Sequence, residues 1–147
     1  MSFTPHITVA SIVEQDGRFL FVREHTSRGI AINQPAGHLE HDETLQQAAV
    51  REALEETGWH IEPVAISGLY LYQAPNGVTY QRLCFAANAL QQQPAAQLAA
   101  EIIEPLWLTL DELQAYQQEW RSPLVMQCLQ DYLAGSRYPL TMLKGIF

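Results

Sequence analysis

The chain has 147 residues, a formal net charge of −8 and a pI near 4.9, and 48% of its residues are hydrophobic. This length fits one ordinary domain, predicted to span residues 1–147, and the hydrophobic fraction is sufficient for a core. The negative charge argues against a non-specific binder of nucleic acid or of a membrane surface, because both depend on a positive field. A partner that carries phosphate groups would therefore need a bridging cation.

The N-terminal residues MSFTPHITVA lack a basic region followed by a long apolar run, and the chain nowhere has 18 consecutive apolar residues. We therefore expect a soluble, cytoplasmic protein. Cys84 and Cys128 each lie in an apolar stretch with no second Cys or His nearby. This pattern favours core packing over a disulfide or a zinc site.

The first half of the chain predicts a hairpin followed by a helix. The segments HITVASIV (6–13) and RFLFVRE (18–24) are joined by the loop EQDG, which is typical of two antiparallel strands. A looser connection, HTSRGIAINQPAG (25–37), follows. Thr44 and Gln47 then form a capping box and Gly58 a stop signal, which predicts a helix over about 44–57.

The second half predicts another hairpin, a strand and two helices. The segments AISGLYLYQA (65–74) and VTYQRLCFAANAL (78–90) flank Asn76-Gly77, QQQPAAQLAAE (91–101) is a connector, and PLWLTL (105–110) is a strand. Thr109 and Glu112 cap a helix through residue 120, and a last helix begins at Ser122-Pro123 and ends at Gly135. The predicted fold is α/β, with a mixed sheet covered by helices on its faces.

The helix at 44–57 carries three glutamates, Glu52, Glu55 and Glu56, in its last turn. At about 100° per residue they share one side, and the packing side is expected to hold Val50, Ala53, Leu54 and Thr57. Repulsion between neighbouring glutamates costs about 0.2–0.5 kcal/mol per pair, and the helix dipole opposes each of them by about 0.3–1 kcal/mol.

A solvated face of an amphipathic helix is the simpler explanation for such a run of glutamates. Lysine would suit that position better, and only Arg51 offers a nearby counter-charge within the helix. Clustered carboxylate oxygens without thiol or imidazole ligands suit hard cations such as Mg²⁺ or Mn²⁺. We therefore favour a metal site over a solvated face.

The same stretch resembles a known motif. Gly37, five residues, Glu43, seven residues and then Arg51-Glu52-Ala53-Leu54-Glu55-Glu56-Thr57-Gly58-Trp59 resembles the Nudix box, and every polar position fits. Ala53 is smaller than the aliphatic residue usual there, which affects packing and not chemistry. The resemblance implies an α/β/α sandwich with a mixed sheet, whose loop, helix and turn hold divalent metal ions against a diphosphate.

The resemblance also implies roles for individual residues. Glu52, Glu55 and Glu56 correspond to the metal-binding carboxylates, the Gly37 carbonyl commonly adds a ligand, and Glu43 with Arg51 buttresses the loop against the helix. The ions, Mg²⁺ with Mn²⁺ as a possible substitute, neutralise the phosphates and lower the pKa of a coordinated water, so that a glutamate can take its proton.

Many members of the family use one further glutamate ahead of a Trp-containing strand, as a ligand or as the base. Glu101 precedes Trp107 by six residues and Glu104 precedes it by three. We favour Glu101 over Glu104, and an exposed loop carboxylate is nearly as good an explanation for it. Glu56 is the alternative base.

Further stretches, NQPAGHLEHDETL (33–45), PHITVA (5–10), RSPLV (121–125) and RYPL (137–140), resemble the NudJ-type phosphatases within this family, over nearly the whole chain. That resemblance implies Mg²⁺-dependent release of phosphate from nucleoside tri- and diphosphates. It also implies action on the hydroxymethylpyrimidine diphosphate of thiamine synthesis, with thiamine diphosphate as a further possibility. The substrates rest on this resemblance alone.

Candidate substrate-binding residues lie outside the box. Tyr70 and Tyr72 share one strand face, as do Tyr80 and Arg82; an aromatic ring can stack on a base and an arginine can hold a phosphate. Cross-strand packing explains these four residues about as well. The remaining candidates flank the expected cleft: Arg23, Arg28, Asn33 and Gln34. His38 and His41 are expected to be exposed loop residues, and nothing supports a zinc deaminase.

Two other functions stay open. One is hydrolysis of a different diphosphate, such as a dinucleoside polyphosphate or a nucleotide sugar; the other is a catalytically silent domain that senses a ligand. The complete carboxylate set speaks against the silent domain. The sequence leaves open which substrate is preferred, whether phosphate or pyrophosphate is released, how many metal ions bind, and whether the protein is a monomer or a homodimer.

Overall fold

The computed structural model describes residues 2–94 and 97–147. Within these residues the elements follow in the order β1 (His6–Gln15), β2 (Arg18–Thr26), β3 (Gly29–Asn33), β4 (Ala36–His38), α1 (Leu45–Thr57), β5 (Trp59–Gln73), β6 (Thr79–Gln92), β7 (Ile102–Leu108), α2 (Leu110–Ala115) and α3 (Leu124–Leu133).

All of these strands join one sheet, whose main path runs β3-β2-β1-β6-β5, with β4 paired to β1 and β7 paired to β2. β1 and β6 run parallel, and the other strand pairs are antiparallel. A parallel pair needs a long connection, and α1 lies on the chain between these two strands. The mixed sheet and both predicted hairpins are confirmed.

Residues 25–37 are more regular than the sequence suggested. They contain all of β3, which pairs with β2 from Val22↔Asn33 to Thr26↔Gly29, and the first two residues of β4, which pairs with β1 at Ala10↔Ala36. Pairing with strands elsewhere in the chain, and not local propensity, makes these segments extended. The expectation of a loose connection was wrong.

The core consists of one layer on each face of the sheet. On one face Val9, Leu83 and Phe85 pack with Ala48 and Ala49 of α1. On the other face, Ala10, Ile12 and Cys84 pack with Val125 and Leu129 of α3. Because neighbouring residues of a strand point to opposite faces, Val9 and Ala10 contribute to different layers. The predicted α/β/α sandwich is confirmed.

The ends of α1 match their sequence signals. Thr44 accepts a hydrogen bond from the backbone N–H of Gln47, whose side chain in turn accepts from the N–H of Thr44. At the other end, Gly58 has φ 76°, a left-handed conformation in which glycine is favoured. Together these two signals fix where the acidic turn stands relative to the sheet.

The two later helices follow their signals less closely. The capping box of Thr109 and Glu112 is present, but α2 ends at Ala115 and a 3₁₀ turn covers Gln117–Glu119, so the predicted helix to residue 120 was too long. α3 begins directly after Pro123 and ends close to Gly135, as predicted. The indole of Trp120 donates to the Leu113 carbonyl at 2.9 Å, which folds this segment back on α2.

Other expectations concern the cysteines, the connector and membrane spans. Cys84 and Cys128 are free and fully buried in the α3-side core, as predicted. In the predicted connector 91–101, β6 continues to Gln92, and Ala95 and Ala96 lie outside the described residues. No helix within 2–94 and 97–147 is long and apolar enough to cross a membrane.

Candidate functional site

The acidic end of α1 lies against β4. If residue 37 carried a Cβ, that atom would overlap the carboxyl group of Glu52, so glycine here lets the carboxyl lie directly against the strand. β4 itself is held by β1, with Gly37 opposite Val9. The Gly37 backbone and the Glu52 carboxylate, both predicted metal ligands, are therefore neighbours.

Arg51 joins the segment before α1 to the acidic turn. Its guanidinium binds Glu43 through two N–H groups, at 2.6 and 3.0 Å, and donates to the His38 carbonyl at 3.0 Å. It also contacts Glu52 at 2.7 Å and Glu55 at 3.2 Å. The Arg51 contact lowers the pKa of Glu43, and the carboxylates raise the pKa of Arg51. The predicted Glu43–Arg51 pair is thus present as a bidentate ion pair.

Glu56 is the most buried of the three glutamates. Only 6% of the residue is exposed, and Oε1 accepts a hydrogen bond from the Ala36 N–H at 3.0 Å. Burial raises the pKa of Glu56 to about 9, with smaller contributions from Glu52, Glu24 and Glu101, while the Ala36 N–H acts in the opposite direction. A carboxyl in this environment ionises readily only when positive charge is brought to it.

The two faces of α1 are not opposed as the sequence predicted. The buried residues are Ala48, Ala49, Ala53, Glu56 and Thr57, whereas Val50 and Leu54 are only partly buried. Small alanines let the helix approach the sheet closely, which turns the Ala49 side inward and brings Glu56 with it. Glu56 therefore points into the protein, Glu52 has 14% of its side chain exposed and Glu55 has 49%.

Within residues 2–94 and 97–147, no group of three or more His, Cys, Asp or Glu side chains stands in a ready-made metal-binding arrangement. Arg51 holds Glu52 and Glu55, and the Ala36 N–H holds one oxygen of Glu56. The donors nevertheless fit a hard divalent cation, since they are carboxylates. Burial is the main cause that raises the pKa values of Glu52 and Glu56, and repulsion from neighbouring carboxylates raises both further. Binding would require Glu52 and Glu55 to turn from Arg51 toward the ion.

The two candidates ahead of Trp107 lie in different surroundings. Glu101 is exposed in the turn before β7, its backbone carbonyl accepts from the His25 N–H at 2.8 Å, and its charge adds to the repulsion at Glu56. Glu104 lies on β7, where it binds Arg23 at 3.0 Å. Of the two, only Glu101 contributes to the acidic group around Glu56.

Sequence reasoning missed Glu24. This residue lies on β2, is 7% exposed, and has a carboxylate oxygen 3.5 Å from a guanidinium nitrogen of Arg121. Burial raises the pKa of Glu24, and Glu101 raises it further, while Arg121 lowers it. A charged residue inside an apolar strand was the only signal in the sequence, and the hairpin pattern concealed it.

Three of the predicted substrate-binding residues come together. Arg82, which is 6% exposed, donates to the side-chain oxygens of Asn33 and Gln34 at 3.2 Å each, and it approaches the Cys128 sulfur at 3.8 Å. Within the described part of the chain, Arg82 has no carboxylate within 4 Å. Glu24 is near enough for the charge of Arg82 to lower its pKa, but among the described residues no carboxylate pairs directly with this guanidinium. Because buried charge is normally paired, Arg82 is a candidate anion contact.

The other predicted substrate contacts are dispersed. Arg23 binds Glu104 and Glu119 and lies over the Tyr116 ring, and Arg28 is exposed at the turn between β2 and β3. The Tyr70 hydroxyl donates to Asp131 at 2.6 Å. Tyr70 and Asp131 line a cavity of about 560 Å³. Among the described residues, the lining of this cavity includes none of the α1 glutamates.

Tyr72 and Tyr80 are opposite each other on β5 and β6, and Tyr80 packs edge-on against His6 and His38. His38 lies on β4 and not in a loop, although it is exposed as expected, and its Nε2 is 3.0 Å from His6 Nδ1. Burial and the neighbouring His6 lower the pKa of His38. The packing of His6 and His38 against Tyr80 was not predicted from the sequence. This aromatic group adjoins Gly37.

Comparisons with known proteins agree with this architecture. A family model described as NUDIX domain matches residues 3–128. Phosphatase NudJ of Escherichia coli K12 is 41% identical over 142 residues, 96% of this chain and 92% of that protein. A NUDIX hydrolase structure from Nitrosomonas europaea is 43% identical, covers 97% of this chain and 98% of its own, and superposes with a TM-score of 0.95. The MutT protein of Methanosarcina mazei is 20% identical with a TM-score of 0.74 over 93% of this chain and 99% of its own, which shows the fold alone.

Proposed function

The chain belongs to the Nudix family and is a hydrolase of phosphorus-containing acid anhydrides, and on this premise we propose that it releases phosphate or pyrophosphate from nucleoside tri- and diphosphates with the help of Mg²⁺. Nudix hydrolases in general use divalent metal ions. Oxygen-rich donors favour Mg²⁺, and Mn²⁺ can substitute. We propose Gly37, Glu52, Glu55, Glu56 and Glu101 as the donors.

The proposed substrates include the hydroxymethylpyrimidine diphosphate of thiamine synthesis, with thiamine diphosphate as a further candidate. Two features support a small phosphorylated substrate. The relative that aligns with nearly the whole chain is named a phosphatase, and the Arg82 guanidinium has no carboxylate within 4 Å among the described residues. The Tyr72–Tyr80 pair, with His6 and His38 beside it, offers rings on which a pyrimidine or purine can stack.

When bound, the divalent ion supplies the positive charge that neutralises the phosphate oxygens, lowers the pKa of a water molecule and keeps the neighbouring carboxylates ionised. Arg51 and Glu43 hold β4 and its following loop against α1. The Ala36 N–H orients Glu56 by fixing one of its two oxygens. These contacts reduce the reorganisation that the reaction requires.

The reaction is a displacement at phosphorus. A water oxygen forms a bond to one phosphorus atom, the bridging oxygen leaves with the electron pair of the broken bond, and a glutamate takes the proton of the water. Glu56 is our first choice for that glutamate because it is buried, oriented and surrounded by carboxylates. Glu101 is the alternative base, since its backbone is fixed and its side chain is exposed beside the same group.

The observation that carries this proposal is the environment of Glu56. A carboxyl whose pKa lies near 9 without a cation is unsuited to act as a base at neutral pH. The same carboxyl becomes an effective base once a divalent ion joins Glu52 and Glu55 next to it. Burial and repulsion in this turn thus make activity conditional on a bound cation.

A substrate panel tests the proposal. The protein is incubated with nucleoside di- and triphosphates, thiamine diphosphate, hydroxymethylpyrimidine diphosphate, a dinucleoside polyphosphate and a nucleotide sugar. Each compound is tested with Mg²⁺, with Mn²⁺ and with chelator, and released phosphate and pyrophosphate are measured separately. Hydrolysis of a dinucleoside polyphosphate or a nucleotide sugar alone would move the substrate to another diphosphate. Lack of hydrolysis of every compound with both metals would indicate a silent ligand-sensing domain.

Three expectations stay predictions: one domain over residues 1–147, a cytoplasmic location, and a small-molecule substrate without nucleic-acid or membrane partners. Whether the protein is a monomer or a homodimer is undecided, and the acidic charge does not determine it.

A further inference from the structure

We propose that Arg121 binds a phosphate group of the substrate, and that Glu24 holds the Arg121 guanidinium at the edge of the site until the substrate binds. This inference rests on the proposed function, and it concerns two residues that the Nudix box does not contain. Four features of the structure carry it: the anchored backbone of Arg121, the weak contact of its side chain, the position of Glu24, and the contacts that already hold most of the other basic side chains.

The backbone of Arg121 is fixed to strand β3. Its N–H donates to the Ile32 carbonyl at 2.8 Å, and Trp120 forms a bridge with the same residue. Ile32 is followed directly by Asn33 and Gln34, the two residues that bind Arg82. Arg121 therefore starts from a defined position beside the residues of the candidate site.

The side chain of Arg121 is held loosely. Its Nη1 lies 3.5 Å from Glu24 Oε2, which is longer than the roughly 2.7–2.9 Å of a strong charge-assisted hydrogen bond. Nearly half of the Arg121 side chain, 47%, is exposed, compared with 9% for Glu24. Among the described residues, this is the only carboxylate within 4 Å of Arg121. Among the described residues the guanidinium makes this one long contact, so its other donors are available to an incoming anion.

Glu24 places this guanidinium at the acidic group. Glu24 lies opposite Ile102 in the β2–β7 pair, and the next residue, His25, donates its N–H to the Glu101 carbonyl at 2.8 Å, so Glu24 and Glu101 are neighbours. The charges of both also contribute to the raised pKa of Glu56. A phosphate that approaches Glu56 with its cation will come within reach of a flexible arginine paired to Glu24. The planar guanidinium can then bind two phosphate oxygens at once.

Five of the other seven basic residues are less suited to this role. Arg51, Arg23 and Arg18 are each bound by carboxylates at 3.0 Å or less. Arg137 donates to two backbone carbonyls and lies over the Tyr132 ring. Arg82 is buried, so it can serve as a fixed second contact but cannot reach outward. Arg121 combines exposure, a weak partner and nearness to the carboxylates.

The experiment measures binding and turnover in parallel. Binding of a nucleoside α,β-methylene diphosphate, which cannot be hydrolysed between its phosphates, is followed by calorimetry in Mg²⁺, and KM and kcat are measured for the best diphosphate substrate. Arg121→Gln is expected to weaken binding and to raise KM by about tenfold or more, with a smaller effect on kcat, because one charge-assisted contact is lost. Arg121→Lys should lie between this variant and the wild type.

Glu24→Gln separates this role from a purely structural ion pair. If Glu24 only holds Arg121 until the substrate binds, Glu24→Gln releases the guanidinium and removes a negative charge from the site. Binding of the methylene diphosphate should then tighten. A structural ion pair predicts that Glu24→Gln and Arg121→Gln weaken binding alike. The matched control is Arg18→Gln, which breaks an exposed pair with Glu112 away from the α1 carboxylates, and it should bind as the wild type does.

Equal weakening by Glu24→Gln and Arg121→Gln, or unchanged binding by Arg121→Gln, would overturn the assignment of Arg121. Neither result affects the proposed function as long as the wild type hydrolyses a diphosphate and Glu56→Gln does not. If the wild type neither binds nor hydrolyses any phosphate compound, the proposed function is wrong, and the assignment of Arg121 is lost with it. The two failures are therefore distinguishable.

Discussion

At the scale of single residues, Glu56 is the most informative group in the molecule. It is 6% exposed, and its neighbours Glu52, Glu24 and Glu101 are carboxylates as well. In the unfolded chain the same carboxyl is solvated and ionises near its ordinary pKa of 4.5. Folding without a cation therefore makes Glu56 take up a proton at neutral pH.

This proton uptake predicts how stability depends on pH. Because the folded-state pKa of Glu56 is raised, to about 9, the folded protein binds more protons than the unfolded chain between about pH 4.5 and 9. The free energy of unfolding in chelator should then fall as pH rises through this window, by up to about 1.4 kcal/mol per pH unit. Denaturant unfolding of the metal-free protein at several pH values measures the slope.

Glu56→Gln is the reference for that measurement, because glutamine keeps an acceptor for the Ala36 N–H and has no proton to exchange. Its stability should depend less steeply on pH in the same window than that of the wild type. Parallel curves for the two proteins would mean that Glu56 ionises normally in the folded state.

A second prediction concerns the glutamate ahead of Trp107. Glu101→Gln should lower kcat by about tenfold or more, because its carboxylate belongs to the acidic group around Glu56. Glu104→Gln is the matched control: it removes a carboxylate three residues away that binds Arg23, and it should retain most of its turnover. Normal turnover by Glu101→Gln would leave Glu56 as the base.

The Glu43–Arg51 ion pair could be predicted from the motif, because it depends on one local helix and its preceding loop. The metal-binding and catalytic roles of Gly37 and the three glutamates stay predictions. Glu24 and Arg121 could not be predicted, since they lie nearly a hundred positions apart in the sequence and meet only in the folded sheet. The Arg23 prediction, a phosphate contact, is not supported by its position, because Glu104 and Glu119 already bind its guanidinium.

At the scale of elements, the contact between β4 and α1 determines the shape of the site. Gly37→Ala would place a methyl group on the carboxyl of Glu52. The glutamate side chain can move aside, so the fold should persist, but Glu52 would lose its position. We expect turnover to fall by about 10–100-fold at low Mg²⁺, because small displacements of reacting groups are costly. The Mg²⁺ dependence of the rate measures this effect.

Gly145→Ala provides the control for that substitution. Its added methyl group would meet the exposed ring of Phe147, which can move away at little cost, and the Thr44 methyl group at 3.2 Å, at the end of α1 opposite to the acidic turn. This variant should keep the Mg²⁺ dependence of the wild type. If Gly37→Ala kept it as well, β4 would not position Glu52 for a cation.

Elements with strong local signals were predicted well, and elements formed by distant pairing were not. The boundaries of α1 follow from Thr44, Gln47 and Gly58, which act within one or two turns. β3 and β4 have no such signals, because their hydrogen-bond partners are β2 and β1. The end of α2 was missed for a related reason, since Trp120 bonds back to Leu113 and the chain turns there.

At the scale of the whole molecule, the sandwich explains how the acidic turn comes to lie among further carboxylates. The sheet and α1 bury Glu56 from one side, while β4, the segment before β7 and β2 bring Ala36, Glu101 and Glu24 to it. Several separate segments thus supply one group of carboxylates. The sequence predicted the layers because hydrophobic periodicity reports which face is buried, but it could not predict the inward turn of Glu56.

The most direct test of the central claim compares metal-dependent turnover in two matched variants. Glu56→Gln and Glu62→Gln each remove one negative charge, the first from the buried acidic turn and the second from an exposed position on β5. With the best substrate at saturating Mg²⁺, Glu56→Gln is predicted to lose about 10²–10⁴-fold in kcat while remaining folded, and Glu62→Gln to match the wild type. Turnover by Glu56→Gln at the wild-type rate would contradict the account.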